Sequence, residues 1–223
     1  MKRLIIAPLI LVFMFSGKIY SQDLILGIKG GSTASGLLYS KFSPKPEHRL
    51  GFLFGISLLK SISPHVDIGT EIIYEQKGYV DHITYTNQYS QVISIEQYIY
   101  KFNYMVLPCY IRIHTISKFQ LFLNFGLYPA YLIKSTTDIP IIDPISGTIT
   151  RKEIKFDAPY LRHFDIGGLI GGGAEFKITD KLLIDLNLRY NNGFLSVMDK
   201  QLFDQYMLLN SLNFSLGLNY KIK

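Results

Sequence analysis

The sequence predicts an all-β fold, an eight-stranded antiparallel up-and-down transmembrane β-barrel. Three observations carry that expectation. The stretch Leu212 to Lys223 alternates without a break: Leu212, Phe214, Leu216, Leu218, Tyr220 and Ile222 are apolar, while Asn213, Ser215, Gly217, Asn219, Lys221 and Lys223 are polar or glycine. Successive side chains on a strand point to opposite faces, so one face is wholly apolar and the other wholly polar. The chain is 48% hydrophobic, yet beyond its N-terminal segment no stretch approaches the ~18 unbroken apolar residues of a helical span. Short and long connections also alternate strictly along the chain, as they do in barrels with tight turns at one end and loops at the other.

The N-terminus has the layout of an export signal. Lys2 and Arg3 are basic, Leu4 to Phe15 is apolar, and Ser16, Gly17 and Ser21 are small. The apolar run is too short to cross a bilayer as a helix. Residues 1–21 are therefore read as a signal peptide, with cleavage after Ser21, and 22–223 as the outer-membrane β-barrel domain. Its loss removes the cations Lys2, Arg3 and Lys18 and lowers the formal charge from +6 to +3. A charge this small on an exported chain gives no footing for nucleic acid and favours anionic headgroups at most. Cys109 is the only cysteine, so no intramolecular disulfide can form, and it is read as a packed strand thiol.

Eight alternating segments follow in order. The first is Leu24 to Gly31, with Leu24, Leu26 and Ile28 outward. The second is Arg49 to Lys60, with Leu50, Phe52, Phe54, Ile56 and Leu58 outward. The third is His65 to Gly78, with Val66, Ile68, Thr70, Ile72 and Tyr74 outward and Asp67, Gly69, Glu71 and Glu75 inward. The fourth is Tyr98 to His114. The fifth is Phe119 to Lys134, with its odd positions from Phe119 to Leu127 outward. The sixth is Leu161 to Ile178, with Phe164, Ile166, Ile170, Ala174 and Phe176 outward. The seventh is Leu182 to Asn192, with Asp185, Asn187 and Arg189 inward. The eighth is Leu212 to Lys223.

In the fourth segment Lys101 and Asn103 are the polar partners of Phe102 and Tyr104, whereas beyond Pro108 the polar Arg112 sits between Ile111 and Ile113. The polar phase thus slips by one residue. Proline lacks the N–H a ladder needs, so a β-bulge is expected at Leu107 and Pro108. The short connections are Ser61 to Pro64, Thr115 to Lys118 and Thr179 to Lys181. The long ones are Ser32 to His48, Tyr79 to Gln97, Ser135 to Tyr160 and Gly193 to Leu208. The third could continue its hairpin above the membrane. Tyrosines and phenylalanines near the segment ends suit interfacial girdles.

An eight-stranded lumen is only wide enough for side chains. Glycines such as Gly69, Gly171 and Gly217 make room in it. Lys29, Glu71, Glu75, Lys77, Arg112, Asp165, Glu175, Asp185 and Arg189 bring charges of both signs. Buried charges need partners, so a salt-bridged plug is expected, with Asp165 pairing with Arg189 or Lys29.

Several motifs have a familiar look. They are Gly27 to Gly31, Glu71 to Gly78, Tyr104 to Tyr110 with its internal proline, Phe125 to Leu132, and Asp165 to Phe176. In this order, and over nearly the whole mature chain, they resemble the PorT-like outer-membrane β-barrel proteins of Bacteroidetes, often called the porin family. The resemblance implies an eight-stranded barrel in the cell outer membrane and does not transfer a role.

No site chemistry emerges from the remaining residues. The glycines at 167, 168 and 171–173 lie on a strand pattern with no helix or Lys-Ser/Thr behind them, so no phosphate loop is read. His48, His65, His82, His114 and His163 show no metal-ligand spacing, and no metal or cofactor is expected. A lipid-acyl hydrolase would pair a serine with a histidine and an acid. His163 and Asp165 are read on the inward face of the sixth segment, but no serine adjoins them, so no catalytic residue is assigned. The expected role is that of an outer-membrane barrel with a plugged lumen, serving envelope structure, binding or secretion. A narrow pore for small solutes is the alternative, and a lipid-modifying enzyme is a more distant one. Outer-membrane lipids and lipopolysaccharide are the expected surroundings. An extracellular ligand or secretion component would engage loops 135–160 and 79–97.

Overall fold

The computed structural model of the chain describes residues 23–38, 45–142, 149–156, 161–198 and 207–222. The expected signal peptide, residues 1–21, lies outside them, as do Asp143, Pro144 and Asp157 of the third long connection. The described residues form β1 (Leu24–Leu38), β2 (Glu47–Ser63), β3 (Val66–Thr86), β4 (Val92–Val106), β5 (Cys109–His114), β6 (Phe119–Ile142), β7 (Ile149–Lys155), β8 (Phe164–Lys177), β9 (Leu182–Gly193) and β10 (Leu208–Lys221).

All pairings are antiparallel, and apart from the seam that closes the ring each joins strands that are adjacent in sequence or separated by a single strand. There β1 pairs with β10 from Ile25↔Lys221 to Leu38↔Leu208. β4 and β5 act as one rung, since both pair with β3 and with β6. The ring therefore has eight rungs and no free edge, which is what lets a sheet sit in a medium that cannot hydrogen-bond. Its outer face is the apolar one: Phe54, Ile72, Leu123, Leu188 and Leu216 are exposed, as are Leu212, Phe214, Leu218 and Tyr220 of β10.

The rung β4–β5 departs from the sequence expectation. No bulge occurs at Leu107 and Pro108. Against β3 the register passes from Ile73↔Val106 to Thr70↔Cys109, three residues on each strand. Against β6 it passes from Val106↔Ala130 to Cys109↔Leu127, again in step. Phe102, Tyr104, Val106, Pro108, Tyr110 and Arg112 all point inward. Pro108 accepts a bond from the Glu71 N–H at 3.0 Å, and Leu107 N–H donates to Pro129 O at 2.9 Å. The ladder therefore loses only the one bond that proline cannot return. The apparent phase slip has another cause. Lys101 and Asn103 lie above the apolar belt, where the outward face is polar: Lys101 Nζ pairs there with Asp138 and Glu153. A bulge does exist, but on β6: Asn103 pairs with Lys134 and Tyr104 with Leu132, leaving Ile133 as the extra residue.

Two of the long connections are largely strand. β3 and β4 continue to Thr86 and Val92 and turn over Asn87, whose Oδ1 accepts the N–H groups of Tyr89 (2.9 Å) and Gln91 (3.0 Å). β6 runs on to Ile142 and β7 returns beside it, from Ile142↔Ile149 to Thr136↔Lys155. The result is a four-stranded external sheet in the order β3–β4–β6–β7, projecting from the loop end of the ring. The sixth expected strand is shorter at its start, because Leu161 forms an isolated bridge with Met198 and β8 begins at Phe164.

Candidate functional site

Inward side chains fill the ring in layers. Near the turn end lie Ile25, Leu59, Leu183 and Phe122, all buried. Near the loop end lies an apolar cap of Tyr79, Phe102, Tyr104, Tyr128, Leu132, Leu161, Val197, Met207 and Leu209, with Phe156 packed against it. Tyr79 stacks on Tyr100 at 4.7 Å, and the Phe156 ring meets Tyr100 edge-on at 5.4 Å. Between the two apolar layers sit the charges.

Glu71 is the centre of the charged layer. Its carboxylate receives Lys29 Nζ at 2.5 Å, both terminal nitrogens of Arg189 at 2.7 and 2.9 Å, and the Tyr110 hydroxyl at 2.8 Å. A forked guanidinium contact of this kind is among the strongest a carboxylate makes. Glu75, two strand repeats away on the same face, accepts from Ser211 (2.7 Å), Asn213 (2.9 Å) and Thr33 (3.4 Å). Its other oxygen lies 3.6 Å from Lys77 Nζ, and that ammonium sits over the Tyr128 ring at 4.8 Å. Arg112 reaches Glu175 at 3.4 Å and stacks over Phe122 at 4.0 Å. Asn219 donates to both Glu175 (3.4 Å) and Asp185 (2.8 Å), linking the two acids.

Gly69 shows what the lumen demands of the backbone. A Cβ there would stand 2.4 Å from the Tyr110 ring, so the tyrosine could not lie flat enough to reach Glu71.

The structure thus brings together Lys29, Glu71 and Arg189, then Glu75 and Lys77, then Arg112, Glu175 and Asp185. Asp165 stands apart. It pairs with neither Arg189 nor Lys29, both of which are taken by Glu71. Instead its Oδ1 accepts the Leu195 N–H at 3.3 Å at the loop end. His163 and Asp165 do not share a face either. His163 precedes β8 and lies outside against the Tyr131 ring at 6.2 Å, while Asp165 is buried within. Cys109 is half-buried, its Sγ 3.6 Å from Thr70 Oγ1. Sequence reasoning passed over Tyr110, Thr33 and Phe156. The first two sit at inward positions of alternating strands, which was the available signal. Phe156 follows β7 and had none.

The external sheet is tied by a second, exposed charge cluster. Lys101 Nζ lies 2.7 Å from Asp138 and 3.1 Å from Glu153, and Lys134 Nζ lies 3.1 Å from Glu153. Arg151 bonds Gln97 across the same face. At the tip, Val92, Ile93 and Ile95 are each more than 60% exposed. Hydrogen bonds from Lys134 and Lys101 hold the Glu153 carboxyl below the usual glutamate range. A depressed carboxyl stabilises its contacts above its unfolded pKa and loses them as pH falls through its folded one. The β7 amides are therefore expected to keep their exchange protection down to about pH 4, the ordinary glutamate range, and to show a modest drop below it, since exposed ion pairs contribute little. Hydrogen exchange across that window checks this, and Glu153→Gln should show no such step.

A family model, described as the outer membrane protein beta-barrel domain, matches residues 20–199. The chain belongs to that family. The exposed apolar belt is accordingly the lipid-facing surface of an outer-membrane barrel. Among solved structures, Neisserial surface protein A is 13% identical, with a TM-score of 0.48 over 91% of this chain and 100% of that one. OprG of Pseudomonas aeruginosa is 9% identical, with a TM-score of 0.46 over 89% and 95%. Ail of Yersinia pestis, solved with the heparin analogue sucrose octasulfate, is 12% identical, with a TM-score of 0.39 over 88% and 99%. Among curated proteins, none matches the sequence.

Proposed function

We propose that the protein is a closed outer-membrane barrel that serves as a non-enzymatic binding or envelope-structural component through its projecting sheet. One observation carries the reading: buried inward side chains occupy both ends of the ring and the charged layer between them. The ion network around Glu71 is bracketed by Ile25, Leu59 and Leu183 on one side and by the aromatic cap on the other. Beyond the ring stands the external sheet, with its exposed Val92, Ile93 and Ile95 and a β7 edge that is unpaired among the described residues. An open strand edge and an exposed apolar tip are means of engaging an extended partner, an extracellular ligand or a secretion component. The non-enzymatic reading is supported by His163 and Asp165 facing opposite sides of the wall. The finer placement among PorT-like barrels rests on the motifs carried by β1, β3, β4–β5, β6 and β8.

A pore for small solutes is the second reading. It is favoured by the amide atoms of Asn187 and the Asn124 nitrogen, which are buried in the lumen without protein partners. Conductance across planar bilayers separates the two. The closed barrel is expected to give no steady single-channel openings in symmetric salt. Regular, voltage-stable openings from the purified protein would overturn the reading.

A further inference from the structure

We propose that a basic crevice between the base of β7 and the barrel wall binds the phosphate of an outer-leaflet glycolipid. The proposal rests on the outer-membrane placement of the barrel and is independent of whether its lumen is closed. The crevice has a volume of about 160 Å³. Lys134, Ser135, Lys155 and His163 supply its polar lining, and Ile133 and Phe156 part of its apolar lining.

Its height is set by the bulge in β6. Tyr131 and Ile133 face outward, 58% and 53% exposed, and are the last apolar residues of the belt on that strand. In a regular strand the residue after Ile133 would turn inward. Because Ile133 is the extra residue opposite Asn103 and Tyr104, Lys134 faces outward as well. Bulges re-aim side chains in this way. An ammonium group therefore stands directly above the hydrocarbon belt, where phosphate groups of the outer leaflet lie.

The surroundings suit an amphipathic anion. Beneath the crevice, Phe164 sits opposite Tyr131 on β8 and is half exposed, with Ile166 below it. These residues offer a surface for acyl chains. Beside it, among the described residues, stand the cations Lys101, Lys134, Arg151 and Lys155 and the acids Asp138 and Glu153. Lys134 uses one donor on Glu153, and an ammonium carries three. His163, already placed against Tyr131, adds a ring nitrogen. A free phosphate would use the cations and ignore the belt, whereas a phosphorylated glycolipid uses both.

The test uses the full barrel folded in detergent and titrated with diphosphoryl lipid A, with chemically dephosphorylated lipid A and with inorganic phosphate, each read by native mass spectrometry. The wild type should retain diphosphoryl lipid A about tenfold better than the dephosphorylated form, the equivalent of one charge-assisted hydrogen bond. The double variant Lys134→Gln, Lys155→Gln should lose that margin. Lys118→Gln, at the turn end, should keep it. Both substituted positions are exposed, and the shift in electrophoretic mobility on boiling verifies that each variant is folded. Equal retention of the two lipid forms by the wild type overturns the proposal, as does an unchanged margin in the double variant. Displacement of the lipid by equimolar inorganic phosphate would assign the crevice to a free anion and also overturn it.

Discussion

Glu71→Leu is expected to cost about 3–5 kcal/mol of barrel stability, because it leaves two buried cations without their counter-charge. Lys29 and Arg189 both end on this carboxylate and are almost wholly enclosed. The favourable attraction disappears, while the cost of desolvating an ammonium and a guanidinium remains. Glu71→Gln should be nearly as damaging, since an amide accepts a hydrogen bond but brings no charge. The triple variant Lys29→Met, Glu71→Leu, Arg189→Met should recover most of the loss, because an apolar replacement of the whole set removes the desolvation cost together with the attraction. Urea unfolding in lipid vesicles provides the measurement. If Glu71→Leu unfolds at the wild-type urea concentration, the carboxylate is not the centre of the lumen.

The second large effect concerns the seam. Gly31→Val should destabilise the barrel by about 3 kcal/mol. A Cβ at Gly31 would lie 2.0 Å from Phe214 O and 2.7 Å from Ser215 Cα. These are backbone atoms of β10, and they can yield only if the β1–β10 ladder opens. The neighbouring glycine supplies the control. At Gly30 the nearest atom to an added Cβ is Leu53 O at 3.9 Å. Gly30→Ala should therefore be neutral, or stabilising by about 0.4–1 kcal/mol through the unfolded chain. Adjacent substitutions on one strand should thus have opposite consequences, seen as loss or retention of the folded electrophoretic band. Equal tolerance at both positions would show that the seam is looser than its register implies.

Much of this was legible in the sequence, and the residues show why the rest was not. β10 could be read outright because both its faces sit in uniform surroundings, hydrocarbon outside and a polar lumen within. The pattern inverts above the belt. Phe102 and Tyr104 fill an apolar cap, Lys101 and Asn103 lie on the opposite, outer face among the polar groups of the external sheet, and the same alternation then points the wrong way. The supposed phase slip at Pro108 was this change of environment. The true bulge at Ile133 lies among Tyr131, Leu132 and Ile133, an apolar run in which a one-residue slip leaves no trace. The charged residues of the lumen could be recognised by type. Their pairing could not, because partners such as Glu71 and Arg189 are 118 residues apart. Asp165 was misassigned for that reason, since only the folded loop end shows that Leu195 reaches it.

The same separation bears on how the barrel forms. Lys29 comes from β1, Glu71 from β3 and Arg189 from β9, so the cluster draws on the beginning, middle and end of the chain. Pairing between distant segments must overcome loop-closure entropy before it contributes anything, and folds built on it form slowly. While the first three strands are present and β9 is not, Glu71 has Lys29 alone and the second cation is missing. The forked contact from Arg189 arrives only as the last two strands dock. The triad is thus a clasp that engages at the end of assembly. Its strength favours the completed ring and does little for any partly wound sheet that precedes it.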